Sequence, residues 1–322
     1  MKYYIGIDLG GTNLVVGLVN EAALLLDKEA VPTNVNAGAA DLIADMKAVT
    51  NRLLDRNNLK LYEIESIGIG VPGTANRETG MIEFANNLNV NNEPFLPMAK
   101  EAFDGKTVYF DNDANAAAWG EYLAGAAAEA KSFVAVTLGT GVGGGIILNG
   151  EIFEGVNYAA GEIGHMVIMA DGIPCNCGRA GCFEAYASAT ALIQQTKAAM
   201  KGDVFSLLWE LCAEDINRVE GKTLFDAVRR GDETAGKVLK QYIKYLSAGI
   251  INIINIFQPE IICIGGGISK AGDLLIDPIK EIAAKESYSR TSAKQTRIVT
   301  AKLYNNAGII GAALLKSGIH PS

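Results

Sequence analysis

The sequence predicts an α/β fold with mixed sheets, divided between two closely packed domains. Three observations carry this reading. Strand-like runs alternate with segments of helical apolar spacing along the 322 residues, the pattern of sheets covered by helices. A strand–turn–strand pattern near the start recurs 129 residues later, which points to a repeated unit. No Pro/Ser-rich linker or low-complexity tract separates the halves, so two domains of this size are expected to pack around a cleft.

Taken in order, residues 3–9, 14–19 and 23–31 read as three strands, with Gly10-Gly11 and Asn20-Glu21 as the turns. In the repeat, residues 133–138 and 142–148 are strands around the turn at residues 139–141, followed by Asn149-Gly150 and a short Ile152-Phe153. Leu9, Gly10 and Asn20 then correspond to Leu138, Gly139 and Asn149. Between the repeats, residues 40–54 carry Leu42, Ile43, Met46, Val49, Leu53 and Leu54 at helical spacing. A buried-type strand at 66–71 ends at Pro72-Gly73, and a strand at 107–110 feeds a helix from about 113 to 127. The second half is more helical. A helix over 232–257 has its apolar stripe at Leu239, Ile243, Leu246, Ile250, Ile253 and Phe257, and stops at Pro259. A strand at 261–264, a helix around 271–282 and a closing helix at 309–315 complete the pattern. The domain break is expected near Asp111–Asp113, with residues 1–111 and 303–322 in a smaller domain and 112–302 in a larger one.

Composition narrows the function. With 28 basic against 36 acidic residues and a formal charge of −8, no basic surface for nucleic acid or anionic lipid is expected. No apolar stretch is long enough to span a bilayer. No charged-then-apolar leader precedes Tyr3, so a cytoplasmic location is expected. The two His are His165 and His320, the latter next to the chain end, so any interior imidazole chemistry rests on His165.

Five segments carry the chemistry. Asp8-Leu9-Gly10-Gly11-Thr12 places two glycines and a hydroxyl where backbone amides can cradle a phosphate. Asp8 beside them suits a hydrated Mg²⁺. Its setting in a hairpin, without a terminal Lys, separates it from the Walker and Rossmann loops. Gly139-Thr140-Gly141 is the matching turn of the repeat. Gly265-Gly266-Gly267 lies between a strand and a helix, where N-terminal amides favour a phosphate. Three such turns suggest a nucleotide held from both sides. Asp111-Asn112-Asp113 sits at a strand end running into a helix. One of the three suits the helix cap, and an Asp there suits a general base on a substrate hydroxyl with Asn112 orienting it. Lastly, Gly161-Glu162-Ile163-Gly164-His165 precedes Cys175, Cys177 and Cys182. One imidazole and three thiolates make a closed tetrahedral Zn²⁺ set, a structural site. Cys212 and Cys263 read as core residues.

D-L-G-G-T, D-N-D-A-N-A-A-A, L-G-T-G-V-G-G-G, G-E-I-G-H and C-N-C-G-R-A-G-C-F-E, in this order, resemble the ROK family of sugar kinases and repressors, most of all its bacterial glucokinases. The resemblance spans nearly the whole chain and implies the two-domain, ribonuclease-H-like fold shared with hexokinase and actin. It implies an ATP-dependent kinase acting on the 6-hydroxyl of a hexose, glucose first, with a kinase for another hexose or an N-acetylhexosamine, or a non-catalytic sugar-sensing regulator, as the alternatives; members are usually homodimers or homotetramers. Asp113 would be the catalytic base. Gly73, Asn86, Asn112, Asp113, Glu162, His165 and Glu184 would bind the sugar. His165, Cys175, Cys177 and Cys182 would hold zinc, and the turns Gly10–Thr12, Gly139–Gly141 and Gly265–Gly267 would hold ATP with Mg²⁺. The family often carries Glu where this chain has Asp111. With the first strand expected from Tyr3, the helix-turn-helix arm of the family's repressors, and with it DNA binding, is not expected.

Overall fold

The computed structural model describes residues 1–85, 88–128 and 130–318. The N-terminal hairpin forms as β1 (Tyr3–Leu9) and β2 (Asn13–Asn20), followed by β3 (Leu25–Pro32). Helix α1 (Ala39–Arg56) leads to β4 (Ile64–Val71), a small hairpin β5 (Thr74–Asn76) and β6 (Met81–Phe84), then α2 (Phe95–Ala102), β7 (Val108–Asn112) and α3 (Asp113–Ala124). The recurring hairpin is β8 (Ser132–Leu138) and β9 (Val142–Leu148), with a short β10 (Glu151–Ile152). Beyond it come α4 (Glu184–Ala187), α5 (Ala189–Gly202), α6 (Leu207–Leu211), α7 (Gly221–Arg229) and α8 (Glu233–Phe257). The chain closes with β11 (Ile261–Gly265), α9 (Asp273–Glu286), β12 (Arg297–Thr300) and α10 (Ala307–Ala313).

The repeat is visible in topology. One sheet has the order β3-β2-β1-β4-β7 and another β10-β9-β8-β11-β12. In each, the first hairpin strand occupies the centre. The following strands lie to one side, with β1–β2, β2–β3 and β9–β10 antiparallel, and the later strands lie to the other, with β4 parallel to β7 and β11 parallel to β12. Contacts divide the chain into two units. One holds Met1–Ala135, Gly145–Gly161 and the stretch from Lys302 onward; the other holds Val136–Gly144 and Glu162–Ala301.

In the first unit, α1 buries all six apolar residues of its stripe, from Leu42 to Leu54, into the core with Ile5, Ile7, Ile67, Ile69 and Phe110. Residues 302 onward return as α10, which packs between the sheet and α3. This packing demands glycine. A Cβ on Gly68 of β4 would overlap the Ala312 carbonyl oxygen, and one on Gly311 would overlap that of Ala116. The backbones therefore approach to a distance no side chain permits. Glu121, buried on α3, accepts hydrogen bonds from the amides of Ala126, Lys302 and Leu303, which fixes the returning chain to the helix that starts at Asp113.

In the second unit, α8 starts at its cap Asp232, which accepts from the Ala235 amide. It ends where Gln258 turns left-handed (φ 45°) before Pro259. Leu239, Leu246, Ile250 and Ile253 are buried along it. The Tyr242 hydroxyl donates to the Ala187 carbonyl at 2.6 Å, and Gly249 leaves room for the Phe183 ring. Both contacts anchor α4 and the segment before it.

Several boundaries differ from expectation for local reasons. The third strand starts at Leu25, because Asn20 accepts from the amides of Ala22 and Leu24 and holds Ala23 at φ 57° in the turn. Helix α3 ends at Ala124 because the Glu121 carboxylate draws the Ala126 amide out of helical register. The helix expected around 271–282 runs from Asp273 to Glu286, and a 3₁₀ stretch at Gly267–Ala271 lies between it and the third glycine turn.

Candidate functional site

Within the first unit, the strand end of β7 and the start of α3 bring Asp111, Asn112 and Asp113 together with Gly73. Asn112 is the helix cap. Its Oδ1 accepts from the amides of Ala114 (2.8 Å) and Asn115 (3.2 Å), while its Nδ2 donates to the Gly73 carbonyl at 3.0 Å. Of the three polar residues, it is therefore the one that caps the helix. Asp113 opens the helix and stays partly accessible, with its Oδ1 accepting from the Ala114 amide at 2.8 Å. Asp111 is buried. Its Oδ1 accepts from the Asn112 amide (2.6 Å) and from Asn115 Nδ2 (3.0 Å), and burial holds its carboxyl above the usual aspartate range against the pull of nearby Arg77. Asn86 and the neighbouring Asn87 lie outside the described residues.

The first glycine turn lies in the same unit. Gly10 donates to the Asn13 carbonyl at 3.0 Å, and Thr33 Oγ1 donates to the Gly10 carbonyl at 2.8 Å, which leaves Gly11 and Thr12 exposed. Asp8, enclosed by protein on most sides yet still partly accessible, has its carboxyl pushed up to about 6 by burial. A Cβ on Gly308 of α10 would lie 2.7 Å from Asp8 Oδ2. A lone carboxylate that is costly to charge, beside an exposed Gly-rich turn, is a donor set that fits a hydrated Mg²⁺.

The second unit carries the other two glycine turns and the Cys-rich segment. Gly139 donates to the Gly141 carbonyl at 3.0 Å, and α5 is tied to this turn by Ala189 N to Gly139 O (2.8 Å) and Thr190 Oγ1 to Thr140 O (2.8 Å). Gly266, at φ 83°, packs against the Leu138 backbone so tightly that a Cβ would overlap it. The turns Gly139–Gly141 and Gly265–Gly267 are therefore neighbours, while the first turn belongs to the other unit.

The segment from Glu162 to Glu184 has little regular structure and is held by its own backbone. Cys175 N donates to Arg179 O (2.8 Å), Gly181 N to Ile173 O (2.8 Å) and Phe183 N to Met166 O (2.8 Å). The Tyr186 hydroxyl accepts from the Ile173 amide at 2.7 Å. This scaffold collects the ligand atoms of His165, Cys175, Cys177 and Cys182 within 4.8 Å of one another. His165 Nδ1 lies 3.7 Å from Cys175 Sγ, and Cys177 Sγ lies 3.6 Å from Cys182 Sγ. Tetrahedral Zn²⁺ with bonds of about 2.3 Å to sulfur and about 2.1 Å to nitrogen needs separations of roughly 3.8 and 3.6 Å, so the four residues fit the ion. Burial and the adjacent thiols push the Cys182 thiol up to about 12, so bringing these thiolates together calls for a cation.

The other edge of the imidazole points to Glu162, with Nε2 3.8 Å from its Oε2. Glu184, the first residue of α4, accepts from the Val142 amide through Oε2 (2.9 Å), and its Oε1 lies 3.9 Å from Cys175 Sγ. A Cβ on Gly141 would overlap that carboxylate. One side chain therefore spans the Cys-rich segment and the glycine turn. Cys212 and Cys263 are buried, as core residues should be.

Three charged residues escaped the sequence reading. Arg77, after β5, pairs with Glu154, beyond β10, and each side chain is only 15% exposed. The two lie far apart in sequence and have no local pattern. Glu121 has one visible signal: apart from Asp113, it is the only charge in a helix of otherwise small, apolar and neutral residues.

A repeated sheet-and-hairpin unit, a strand–helix junction carrying Asp111, Asn112 and Asp113, and a Cys₃His segment mark a two-unit α/β protein. The ROK family model matches residues 4–318, and the chain belongs to the ROK family. It is 37% identical over 319 residues to a glucokinase of Halalkalibacterium halodurans, covering 98% of this chain and 94% of the relative. It is 38% identical over 312 residues to a glucokinase of Thermotoga maritima, covering 96% and 95%. Its fold matches the crystal structure of a ROK family glucokinase from Streptomyces griseus in complex with glucose and AMPPNP, with a TM-score of 0.84 at 31% identity, over 97% of this chain and 98% of that one.

Proposed function

We propose that this chain is an ATP-dependent hexose kinase that converts glucose to glucose 6-phosphate. The observation that carries this reading is the similarity to glucokinases over nearly the whole length of both chains. Asp113 accepts the proton of the 6-hydroxyl as that oxygen attacks the γ-phosphoryl group of ATP in line. Asn112, already fixed by its two helix amides and by Gly73, orients the sugar beside it. Glu162, Glu184 and the Nε2 edge of His165 bind further hydroxyls, and Gly73 and Asn86 complete the set. The backbone amides of the turns Gly10–Thr12, Gly139–Gly141 and Gly265–Gly267 hold the nucleotide. With a formal charge of −8, the chain's overall field does not attract ATP, so these local amides must do so.

Mg²⁺ near Asp8 would neutralise charge on the transferring phosphates. Zn²⁺ on His165, Cys175, Cys177 and Cys182 would set the tautomer and aim of His165. Among the described residues no helix is long and apolar enough to cross a membrane. We place the enzyme in the cytoplasm, as a homodimer or homotetramer without a nucleic-acid or membrane partner. A coupled ADP-release assay over glucose, mannose, fructose and the N-acetylhexosamines tests the reading. Glucose-dependent release supports it; release with another hexose alone changes the substrate; no release with any sugar removes the kinase activity.

A further inference from the structure

The Cys-rich segment closes around one hydroxyl that belongs to none of the four ligands. Tyr186 of α4 is 3% exposed. Its ring lies against Tyr245 of α8 with centroids 4.7 Å apart, and its carbonyl accepts from Gln195 Nε2 of α5 at 2.9 Å. The residue is thus held by two helices while its hydroxyl meets the loop between His165 and Cys175. There the hydroxyl accepts from the Ile173 amide at 2.7 Å and donates to Met169 Sδ at 3.6 Å. The Ile173 carbonyl in turn accepts from the Gly181 amide at 2.8 Å. Ile173 stands two residues before Cys175, and Gly181 directly precedes Cys182. Tyr186 therefore holds one end of the short ladder that brings these two thiols together. Gly172 makes room for it, because a Cβ there would overlap the hydroxyl.

We propose that Tyr186 is a positioning residue for the Cys₃His set. Its hydroxyl keeps the loop in the shape that the ion requires, so part of the ordering is in place before the metal binds and need not be supplied by it. This rests on the Zn²⁺ reading of the four ligands, and its tests are chosen so that the two fail separately. A tyrosine that only filled the core would, on losing its hydroxyl, lower thermal stability and leave the zinc affinity of the folded protein unchanged.

Tyr186→Phe keeps the ring and removes only the hydroxyl, which leaves the Ile173 amide without its acceptor. In the full-length protein, well below its unfolding transition, zinc affinity read by competition with a chromophoric chelator should fall about 10–100-fold, the scale on which partners behind metal ligands act. Gly172→Ala strikes the same contact from the loop side and should weaken zinc as well. In the Tyr186→Phe background it should cost less than it does alone, because the atom it strikes is gone. Amide hydrogen exchange of the same purified proteins supplies the independent arm: the Ile173 and Gly181 amides should exchange about tenfold faster in Tyr186→Phe, with α9 unchanged. A parent that binds no zinc would remove the zinc reading, and exchange at those two amides would still decide whether the hydroxyl orders the loop. The proposal is overturned if Tyr186→Phe binds zinc like the parent, if both amides exchange as they do in the parent, or if the losses from the two substitutions simply add.

Discussion

The two units hold the residues proposed to act on the sugar by different means. In the first, Asn112 and Asp113 sit where a strand becomes a helix, so the backbone ladder of β4 and β7 and the cap of α3 place them. In the second, His165, Glu162 and Glu184 sit on a segment with little regular structure, and the thiols collected around Cys182 do what a core does elsewhere. A loop can aim side chains in less restricted directions, but it needs a cross-link to keep them there. The contrast predicts that damage to the first half strikes chemistry, whereas damage to the second strikes sugar binding and order.

The largest expected effect is at the strand–helix junction. Asp113→Asn should lower kcat by about 10²–10⁴-fold with sugar affinity and zinc content kept; near-normal turnover would remove Asp113 as the base. In the other half, Cys177→Ser should abolish stoichiometric zinc and raise the hexose KM by about 10–100-fold. Full metal occupancy in that variant, measured by atomic absorption, would contradict the ligand set. A smaller effect sharpens the role of Glu184. Gly141→Ala forces a methyl group against its carboxylate, and overpacking of this kind costs about 1–3 kcal/mol. A substitution in a turn proposed to hold the nucleotide should then raise the hexose KM about tenfold, and a change confined to the KM for ATP would sever that link.

The smallest effect concerns stability. Burial raises the folded Asp8 carboxyl from 3.8 to about 6, so the folded state binds this proton more tightly than the unfolded chain does. The stability associated with Asp8 is therefore present at low pH and is lost as pH rises through that window. Asp8→Asn removes the charging cost of about 3 kcal/mol that is complete at neutral pH. Its stability advantage over the parent should widen by about 1 kcal/mol between about pH 5 and pH 7.5, while turnover falls. An advantage that does not vary with pH, in urea titrations at both values, would contradict the burial of this charge.

Much of this was legible in the sequence because the signals are local. The hairpin repeat reappears as two sheets of matching order, and the apolar stripe of α1 is buried residue for residue. The Cys₃His set could be read from spacing because its three thiols fall within one short loop. What was hidden depends on tertiary contact. Nothing near Arg77 or Glu154 in the chain signals that they meet. Which of Asp111, Asn112 and Asp113 would cap α3 depended on whether Asp111 was buried.

The central claim is phosphoryl transfer to a particular oxygen, and phosphorus NMR reads it directly. The protein incubated with glucose, ATP and Mg²⁺ should produce the resonance of a phosphate monoester on the 6-oxygen, at a rate that collapses in Asp113→Asn. A phosphate on any other oxygen, or no monoester with glucose or any other hexose, would contradict it.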